Sequence, residues 1–208
     1  MKRPCFPFRV FYQTVVRVFG ILYAALMLAR YHGIRNIPAK GPFIVCANHR
    51  CVLDPYTVAV AFRQQLYFMA KSELFTDHGP LAAAFLRIAG AFPVHRDSAD
   101  MQSLRDAESI LKRGDVLGIF PQGKVVFDNT PFRPKAGAVL VAAQAGVPIV
   151  PVSIWCKGPW RPGKRVTVRI GEPIPASVFA GAQHDRKILR QGAALIAGAI
   201  NRQLEEGH

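Results

Sequence analysis

The sequence predicts an α/β fold in which a mixed, largely parallel sheet carries helices on both faces, with an N-terminal membrane-associating helix in front of it. Three observations predict it. From residue 43 onward, short apolar runs of strand length alternate with longer segments of helical periodicity. Polar residues directly follow several of these runs, which is where open α/β sheets carry functional groups. The first 33 residues, in contrast, are mostly apolar with basic ends.

The N-terminal segment is interpreted as a membrane-anchoring helix over residues 1–33, followed by a single α/β domain over residues 34–208. Its polar residues recur every four positions and share one helix face: Arg9, Gln13 and Arg17. The unbroken apolar run 18–29 would be about 18 Å long as a helix, shorter than a bilayer core of ~30 Å. We therefore expect a helix lying in the membrane interface, with a spanning helix as the alternative.

The composition favours a membrane-surface or phosphate-handling protein. Lys and Arg number 27 against 13 Asp and Glu, a formal charge of +14, while half of the residues are hydrophobic and the mean hydropathy is +0.16. This combination fits an anionic membrane surface or phosphorylated substrates as partners. Nucleic acid is disfavoured because no recognised binding motif is present. The four cysteines form no CxxC pair, which is typical of a reduced, intracellular protein, so we expect association with the cytoplasmic face of a membrane.

The individual elements follow from apolar runs and from helix-end signals. The predicted strands are 43–47, 66–70, 91–94, 116–120, 147–155 and 165–170. The last of them alternates basic and apolar residues, which predicts an edge strand. The predicted helices are 55–65, 80–89, 97–113, 136–145 and 185–204.

The loop after the first predicted strand carries His49 and, five residues later, Asp54. An Asp directly before Pro55 indicates a helix start, with the carboxylate capping free N–H groups. Across such a loop His49 could act as a general base whose other ring nitrogen is held by Asp54. The alternative is a polar loop histidine beside a simple helix cap. A second pair with the same spacing, His95 and Asp100, shows that spacing alone does not decide.

This motif is the first of four short blocks that follow one another along the chain. They are Asn48-His49 with Asp54; Gly90, Phe92, Val94 and Arg96; Phe120, Pro121 and Gly123; and the run from Val147 to Val152. In this order they resemble the glycerolipid acyltransferase family typified by lysophosphatidic acid acyltransferase, over about residues 30–170. Four ordered blocks are far more specific than any one of them.

The resemblance implies an enzyme that moves a fatty acyl group from a thioester, acyl-CoA or acyl carrier protein, to the hydroxyl of a lysophospholipid such as lysophosphatidic acid. It implies that His49 is the general base and Asp54 its orienting partner, with direct transfer and no acyl-enzyme. No cofactor or metal is implied. The anionic membrane surface is expected as a further partner, because acceptor and product are lipids.

The resemblance also implies roles for residues outside the His49 motif. The expected phosphate-binding residues are Lys71, Arg96, Lys124 and Lys135. The expected acceptor-site loop residues are Asn48, Pro121, Gln122 and Gly123. For the oxyanion of the reaction, backbone N–H groups near Gly123 or in the His49 loop are the candidates.

Three departures from the family pattern leave the acceptor open. Gln122 stands where the family usually has Glu, and Lys124-Val125-Val126 replaces Thr-Arg-Ser, so a phosphate-gripping Arg is missing there. Cys51 takes a position often held by Ser or Thr, and it is interpreted as packing beside the loop rather than as a nucleophile. The alternatives are therefore transfer to another lysolipid or hydroxylated lipid, or a non-catalytic basic protein that binds membrane surfaces.

Overall fold

The computed structural model describes residues 12, 14, 16, 18, 20, 22–23, 25–62, 64–77, 79–88, 90–94, 101–128, 130–159, 161 and 163–207. The strands are β1 (Arg30–His32), β2 (Phe43–Ala47), β3 (Leu66–Lys71), β4 (Ala91–Val94), β5 (Val116–Ile119), β6 (Ile149–Cys156) and β7 (Val166–Ile170). The α-helices are α1 (Asp54–Ala59), α2 (Glu73–Thr76), α3 (Gly79–Ile88), α4 (Met101–Lys112), α5 (Gly137–Ala145) and α6 (Arg186–Glu205). Two 3₁₀ turns lie at Ile34–Asn36 and Ala176–Phe179.

The strands form one mixed sheet in the order β1-β7-β6-β2-β5-β3-β4. All neighbouring pairs are parallel except β6 with β7, which is antiparallel. The parallel register aligns Cys46 of β2 with Ile119 of β5 and Ala47 with Val152 of β6. The carboxyl ends of β2, β5 and β6 therefore meet at one edge of the sheet, and the segments that follow them lie side by side there.

Each face of the sheet carries its own apolar layer, as expected for a sheet covered on both sides. Ile44 and Cys46 of β2 belong to the cluster that packs under α4, α5 and α6. The alternate residues Phe43, Val45 and Ala47 belong to the opposite cluster, with residues of α1 and of the N-terminal segment. Because β2 is buried on both faces, its sequence is a continuous apolar run, which is why it could be recognised from sequence. The predicted α/β sheet with flanking helices is confirmed.

The prediction that residues 165–170 form an edge strand is wrong. β7 lies between β6 and β1, and all five of its residues are buried. The charge of Arg169 is compensated by the far end of the chain, because its Nε lies 2.8 Å from Oε2 of Glu206. The true edge on this side is β1, whose three residues include two exposed polar ones and so give no strand signal.

The described residues among 12–26 of the N-terminal segment are helical, and several of them pack on the domain. The hydroxyl of Tyr23 lies 2.5 Å from Oγ1 of Thr57 in α1, its ring meets Tyr56 edge-on, and Met27 is fully buried. The segment assigned to the anchor thus also supplies β1. The division at residue 33 stays a prediction.

Among the described residues, no helix combines the length and the apolarity needed to cross a bilayer. Three residues of the expected polar stripe, Arg9, Gln13 and Arg17, lie outside the described residues.

The remaining helices lie within a few residues of their predicted bounds, with one clear difference. The helix expected over 55–65 ends at Ala59, because the chain turns back through residues 60–65 to enter β3. For the helix expected over 97–113, the described part is Met101–Lys112.

Candidate functional site

Asn48 directly follows β2 and continues its pairing with β6 through a side chain. Its Nδ2 donates to the carbonyl oxygen of Ile154 at 2.9 Å, and its Oδ1 accepts from the Ile154 N–H at 2.7 Å. The side-chain amide thus takes the place of one further pair of backbone hydrogen bonds between the strands. Asn48 is buried, and its role in the structure is to hold the start of the loop that carries His49.

His49 and Asp54 face each other across that loop, as their spacing predicts. Nδ1 of His49 lies 2.9 Å from Oδ2 of Asp54, whose side chain is almost wholly buried, whereas the His49 side chain keeps 13% of its surface exposed. A carboxylate can only accept, so Nδ1 carries the proton and Nε2 is left as the acceptor nitrogen. The pair therefore presents a basic imidazole nitrogen at the carboxyl edge of the sheet.

The interpretation of Asp54 as a helix cap is wrong in detail. Leu53 is the N-cap of α1 and Asp54 is its first residue, and the carboxylate turns back toward the loop. It accepts from the N–H groups of Arg50 and Cys51, the latter at 2.7 Å, and from the Cys51 thiol at 3.3 Å. One buried carboxylate therefore closes the whole loop from residue 49 to residue 54. The backbone of the loop thus holds in place the carboxylate that bonds to His49.

The His49 ring is held in its plane by an aromatic stack. It lies on Phe120, with ring centroids 4.3 Å apart and planes 23° from parallel. Phe120 in turn stacks on Phe68 of β3 at 5.6 Å. Gly118 of β5 makes room for this stack, because a Cβ there would lie 2.2 Å from the Phe68 ring. The orientation of the imidazole is thus fixed by residues of β3 and of the end of β5, and not by the loop alone.

The backbone of His49 is tied to the segment that follows β5. Its N–H donates to Oε1 of Gln122 at 2.9 Å, and its carbonyl accepts from the N–H of Val126 at 2.7 Å. Gln122 and Val126 lie in the block whose sequence departs from the family pattern. That block therefore forms one wall of the site.

Arg50 is a site residue that sequence reasoning missed. It is 3% exposed, and its guanidinium donates to the carbonyl oxygens of Cys156 at 2.8 Å and of Phe127 and Gly158 at 3.0 Å each. One side chain thus joins the His49 loop, the end of β6 and the segment after β5. With 27 basic residues in the chain, no local signal distinguishes this one from a surface arginine.

A cleft opens beside His49. It is lined by Asn48, His49, Gln122, Val126, Asp128, Thr130 and Leu204. The hydroxyl and N–H of Thr130 donate to Asp128 and hold the pKa of that carboxyl below its usual range. The cleft therefore combines a basic imidazole, a neutral amide and a carboxylate.

The lysines expected to bind phosphate lie around this edge. Lys71 ends β3 and pairs with Glu73 at 2.9 Å, and that hydrogen bond lowers the pKa of the Glu73 carboxyl to about 2. Lys124 is exposed. Lys135 lies over the loop, since a Cβ at Gly123 would be 3.2 Å from its Nζ. Arg96, together with the alternative pair His95 and Asp100, lies outside the described residues.

The acceptor-loop residues form a tight turn at the end of β5. Gly123 has a φ of +72°, which favours glycine, and its N–H donates to the Phe120 carbonyl at 3.0 Å. The Pro121 carbonyl accepts from the Lys135 N–H at 2.8 Å, so this turn lies beside the residues that lead into α5.

Four backbone N–H groups in the two regions expected to hold an oxyanion donate within the protein. The His49 N–H donates to Gln122, those of Arg50 and Cys51 donate to Asp54, and that of Gly123 donates to Phe120. These four bonds hold the His49 loop and the turn after β5, and the oxyanion donor stays a prediction.

Comparison with known proteins gives a consistent result. The family described as Acyltransferase matches residues 29–155. The 1-acyl-sn-glycerol-3-phosphate acyltransferase of Bacillus subtilis (strain 168) is 30% identical over 178 residues, which cover 82% of this chain and 83% of that protein. The protein with the same name in Streptococcus pneumoniae (strain ATCC BAA-255 / R6) is 31% identical, with coverage of 95% and 73%. The crystal structure of the 1-acyl-sn-glycerophosphate (LPA) acyltransferase PlsC from Thermotoga maritima superimposes with a TM-score of 0.73 at 26% identity, covering 95% of this chain and 80% of that one.

Proposed function

Since this chain belongs to the Acyltransferase family and is an O-acyltransferase, we propose that it moves a fatty acyl group from an acyl thioester to the free hydroxyl of lysophosphatidic acid, giving phosphatidic acid. The donor is acyl-CoA or an acyl carrier protein. The observation that carries the proposal is the 2.9 Å contact between Nδ1 of His49 and Oδ2 of Asp54 beside an open cleft. The names of the Bacillus and Streptococcus relatives support the acceptor.

In the first step Nε2 of His49 removes the proton from the acceptor hydroxyl as its oxygen attacks the thioester carbonyl. The imidazolium that forms lies against the Asp54 carboxylate, which stabilises it. The carbonyl electron pair moves onto oxygen. When it returns, the C–S bond breaks, and the leaving thiolate takes the proton from His49. Proton and charge are thus both accounted for without a metal or a cofactor.

The transfer is direct, with no acyl-enzyme on Cys51. Burial, together with the neighbouring Asp54 carboxylate, raises the pKa of the Cys51 thiol to about 12. At pH 8 about one thiol in 10⁴ would then be ionised, and the thiolate is the reactive form.

Cys51→Ala is therefore expected to keep acyl transfer within about threefold of wild type, because it removes one weak hydrogen bond to Asp54 and no reacting atom. The rate of free-thiol release at pH 8 measures it. Cys51→Ser, which preserves a donor to Asp54, is the matched control. Direct transfer would be contradicted if Cys51→Ala lowered the rate of free-thiol release 10²-fold or more while Cys51→Ser, whose hydroxyl could replace the thiol as nucleophile, stayed active.

The acceptor phosphate is held by Lys71, Lys124 and Lys135, with Arg96 as a fourth basic residue. Lys71 ends β3, Lys124 follows β5, and Lys135 lies in the loop before α5. All three side chains are exposed. Lys71 exchanges its Glu73 partner for phosphate at little cost, because a surface ion pair contributes little in water. The lysines bind as point charges, in place of a bidentate arginine.

One observation favours a second candidate, transfer to another hydroxylated lysolipid. Asp128 lines the same cleft as His49, and its pKa is lowered, so it is a carboxylate at neutral pH. A carboxylate repels a phosphate placed next to it. An acceptor with a neutral or zwitterionic headgroup would fit that wall better.

Free-thiol release from a long-chain acyl-CoA and from an acyl carrier protein, measured with a panel of lysolipid acceptors, tests both candidates. Dependence on lysophosphatidic acid is expected, with phosphatidic acid as the product. Equal or faster release with lysophosphatidylcholine or lysophosphatidylethanolamine would favour the second candidate. No thiol release with any acceptor would contradict both candidate functions and would favour a non-catalytic protein that binds membrane surfaces.

The lipid substrates require a membrane surface, and we propose that the N-terminal segment lies on the cytoplasmic face of an anionic membrane. Val18, Leu22 and Leu26 recur every four residues on the helical segment, and each is more than half exposed. The Leu26 carbonyl accepts from the Gly163 N–H at 3.0 Å, which brings the exposed basic residues Arg161 and Arg165 close to this stripe. Apolar side chains beside basic ones are typical of an interfacial helix.

Leu22→Ser combined with Leu26→Ser is expected to weaken binding to vesicles of phosphatidylglycerol and phosphatidylcholine about tenfold or more, because each leucine that enters lipid contributes about 1–2 kcal/mol. Co-flotation with the vesicles measures it. Leu195→Ser is the matched control, since Leu195 is 50% exposed on α6, outside the N-terminal segment. Equal loss in both variants would contradict the assignment of the stripe.

A further inference from the structure

The amide of Gln122 has a fixed orientation. The His49 N–H is a donor, so the Gln122 atom 2.9 Å from it must be the acceptor oxygen Oε1. The nitrogen Nε2 then points away from the His49 backbone. This assignment follows from the chemistry of the backbone group and does not depend on distinguishing oxygen from nitrogen by position.

The side chain of Gln122 lines the same cleft as His49. Among the residues that the structure describes, none accepts a hydrogen bond from Nε2. Two N–H bonds of a neutral amide are therefore available to a substrate in this cleft.

The other donors around this cleft are committed. The Val126 N–H donates to His49, and the Thr130 hydroxyl donates to Asp128. Asn48 spends its amide on Ile154. The N–H groups of His49, Arg50 and Cys51 donate to Gln122 and Asp54, as described above. Of the described cleft-lining side chains with a neutral donor, Gln122 is the one whose amide hydrogens are not used within the described part of the protein.

We propose that Gln122 donates an Nε2–H hydrogen bond to the carbonyl oxygen of the acyl thioester and holds the oxyanion of the tetrahedral intermediate. The inference rests on the proposed function, since it needs a thioester attacked by an alcohol that His49 deprotonates. The carbonyl electron pair passes to the oxygen beside Nε2 and returns as the thiolate leaves. A donor aimed at this oxygen is worth more in the intermediate than in the ground state, because the charge develops there.

This role separates Gln122 from the glutamate that the family usually carries at the same place. A carboxylate would accept the His49 N–H equally well but would have no hydrogen to donate. If Gln122 served only to hold the His49 backbone, Gln122→Glu would preserve or improve the enzyme. If it donates to the oxyanion, the same substitution removes the donor and adds a negative charge where one must form.

The experiment compares wild type with Gln122→Glu and Gln122→Met, with thiol release from acyl-CoA in the presence of lysophosphatidic acid as the assay. Removing one oxyanion donor lowers kcat about 10²- to 10³-fold. We expect that loss in Gln122→Glu, while KM for the donor and the Kd for a thioether analogue, which lacks the carbonyl, stay within about threefold. Gln122→Met adds no charge but also removes the acceptor of the His49 N–H, so its kcat is compared with that of Gln122→Glu, which keeps that acceptor. Gln144→Glu, at an exposed position on α5, carries the same charge change and is expected to match wild type.

The outcomes are distinguishable. If Gln122→Glu or Gln122→Met keeps kcat within threefold of wild type, the proposal is overturned and the proposed function stands. If kcat falls only in step with a weaker Kd for the thioether analogue, Gln122 is a binding residue and the proposal is again overturned. If Gln122→Glu has a lowered melting temperature, both variants are assayed well below that temperature and the same threshold decides. Wild type without thiol release contradicts the proposed function itself and takes this inference with it.

Discussion

Replacing His49 by alanine is expected to lower kcat for acyl transfer about 10²- to 10⁴-fold, the usual contribution of a positioned general base. The side chain is held by Asp54 at 2.9 Å and by stacking on Phe120 at 4.3 Å, so no neighbouring group can take its position. The alanine variant leaves the backbone bonds to Gln122 and Val126 in place. The loss should therefore appear in kcat, with little change in KM or in vesicle binding.

His184→Ala is the matched control for this prediction, because His184 is exposed in the turn before α6. It should match wild type in free-thiol release. If His49→Ala kept more than about a tenth of wild-type kcat, base catalysis by the imidazole would be excluded, and the proton would have to leave through another group.

Replacing Arg50 by methionine is expected to lower the free energy of unfolding by about 2–4 kcal/mol. The substitution leaves the carbonyl oxygens of Cys156, Phe127 and Gly158 without the guanidinium that they accept from. For a chain of this length such a loss lowers the melting temperature by about 5–15 °C. Because Arg50 follows His49 directly, kcat should fall as well.

Thermal and urea unfolding of three variants measure the effect. Arg105→Met is the control, since Arg105 is exposed on α4 and its loss changes the charge by the same amount with an expected effect within ±0.5 kcal/mol. Arg50→Lys keeps the charge but lacks the planar fork and should fall between wild type and methionine. Equal melting temperatures for Arg50→Met and Arg105→Met would show that the three carbonyl contacts contribute nothing to stability.

β2 could be predicted because it is buried on both faces and therefore reads as a continuous apolar run. β4 lies at the edge of the sheet with Pro93 exposed, but its four residues are apolar as well, so Phe43–Ala47 and Ala91–Val94 were both predicted to the residue. β1 could not be predicted, because Arg30 and His32 are exposed and three residues carry no periodicity. β7 was predicted as a strand but in the wrong place, because its arginine is compensated by Glu206, which no local pattern connects to it.

The contacts of the site also divide into those that the local sequence predicts and those that it does not. His49 and Asp54 are five residues apart, and local spacing together with a strand end is enough to bring them together. The contact from His49 to Gln122 joins residues 73 apart, and those from Arg50 to the end of β6 join residues more than 100 apart. Such contacts depend on the order of strands in the sheet, which the sequence does not state. The use of the loop N–H groups by Asp54 was missed for a different reason, since an Asp before Pro usually faces the helix and here faces the loop.

The long-range ties of the His49 loop have a consequence for synthesis on the ribosome. Asn48 and Arg50 find their partners at Ile154, Cys156 and Gly158, so a nascent chain that stops short of residue 158 carries the imidazole and the carboxylate without the scaffold that positions them. Fragments from interrupted translation thus have no ordered base to expose to the acyl thioesters of the cell. We therefore expect incomplete chains to hydrolyse thioesters poorly, because the order of the strands in the sheet delays assembly of the site until most of the polypeptide exists.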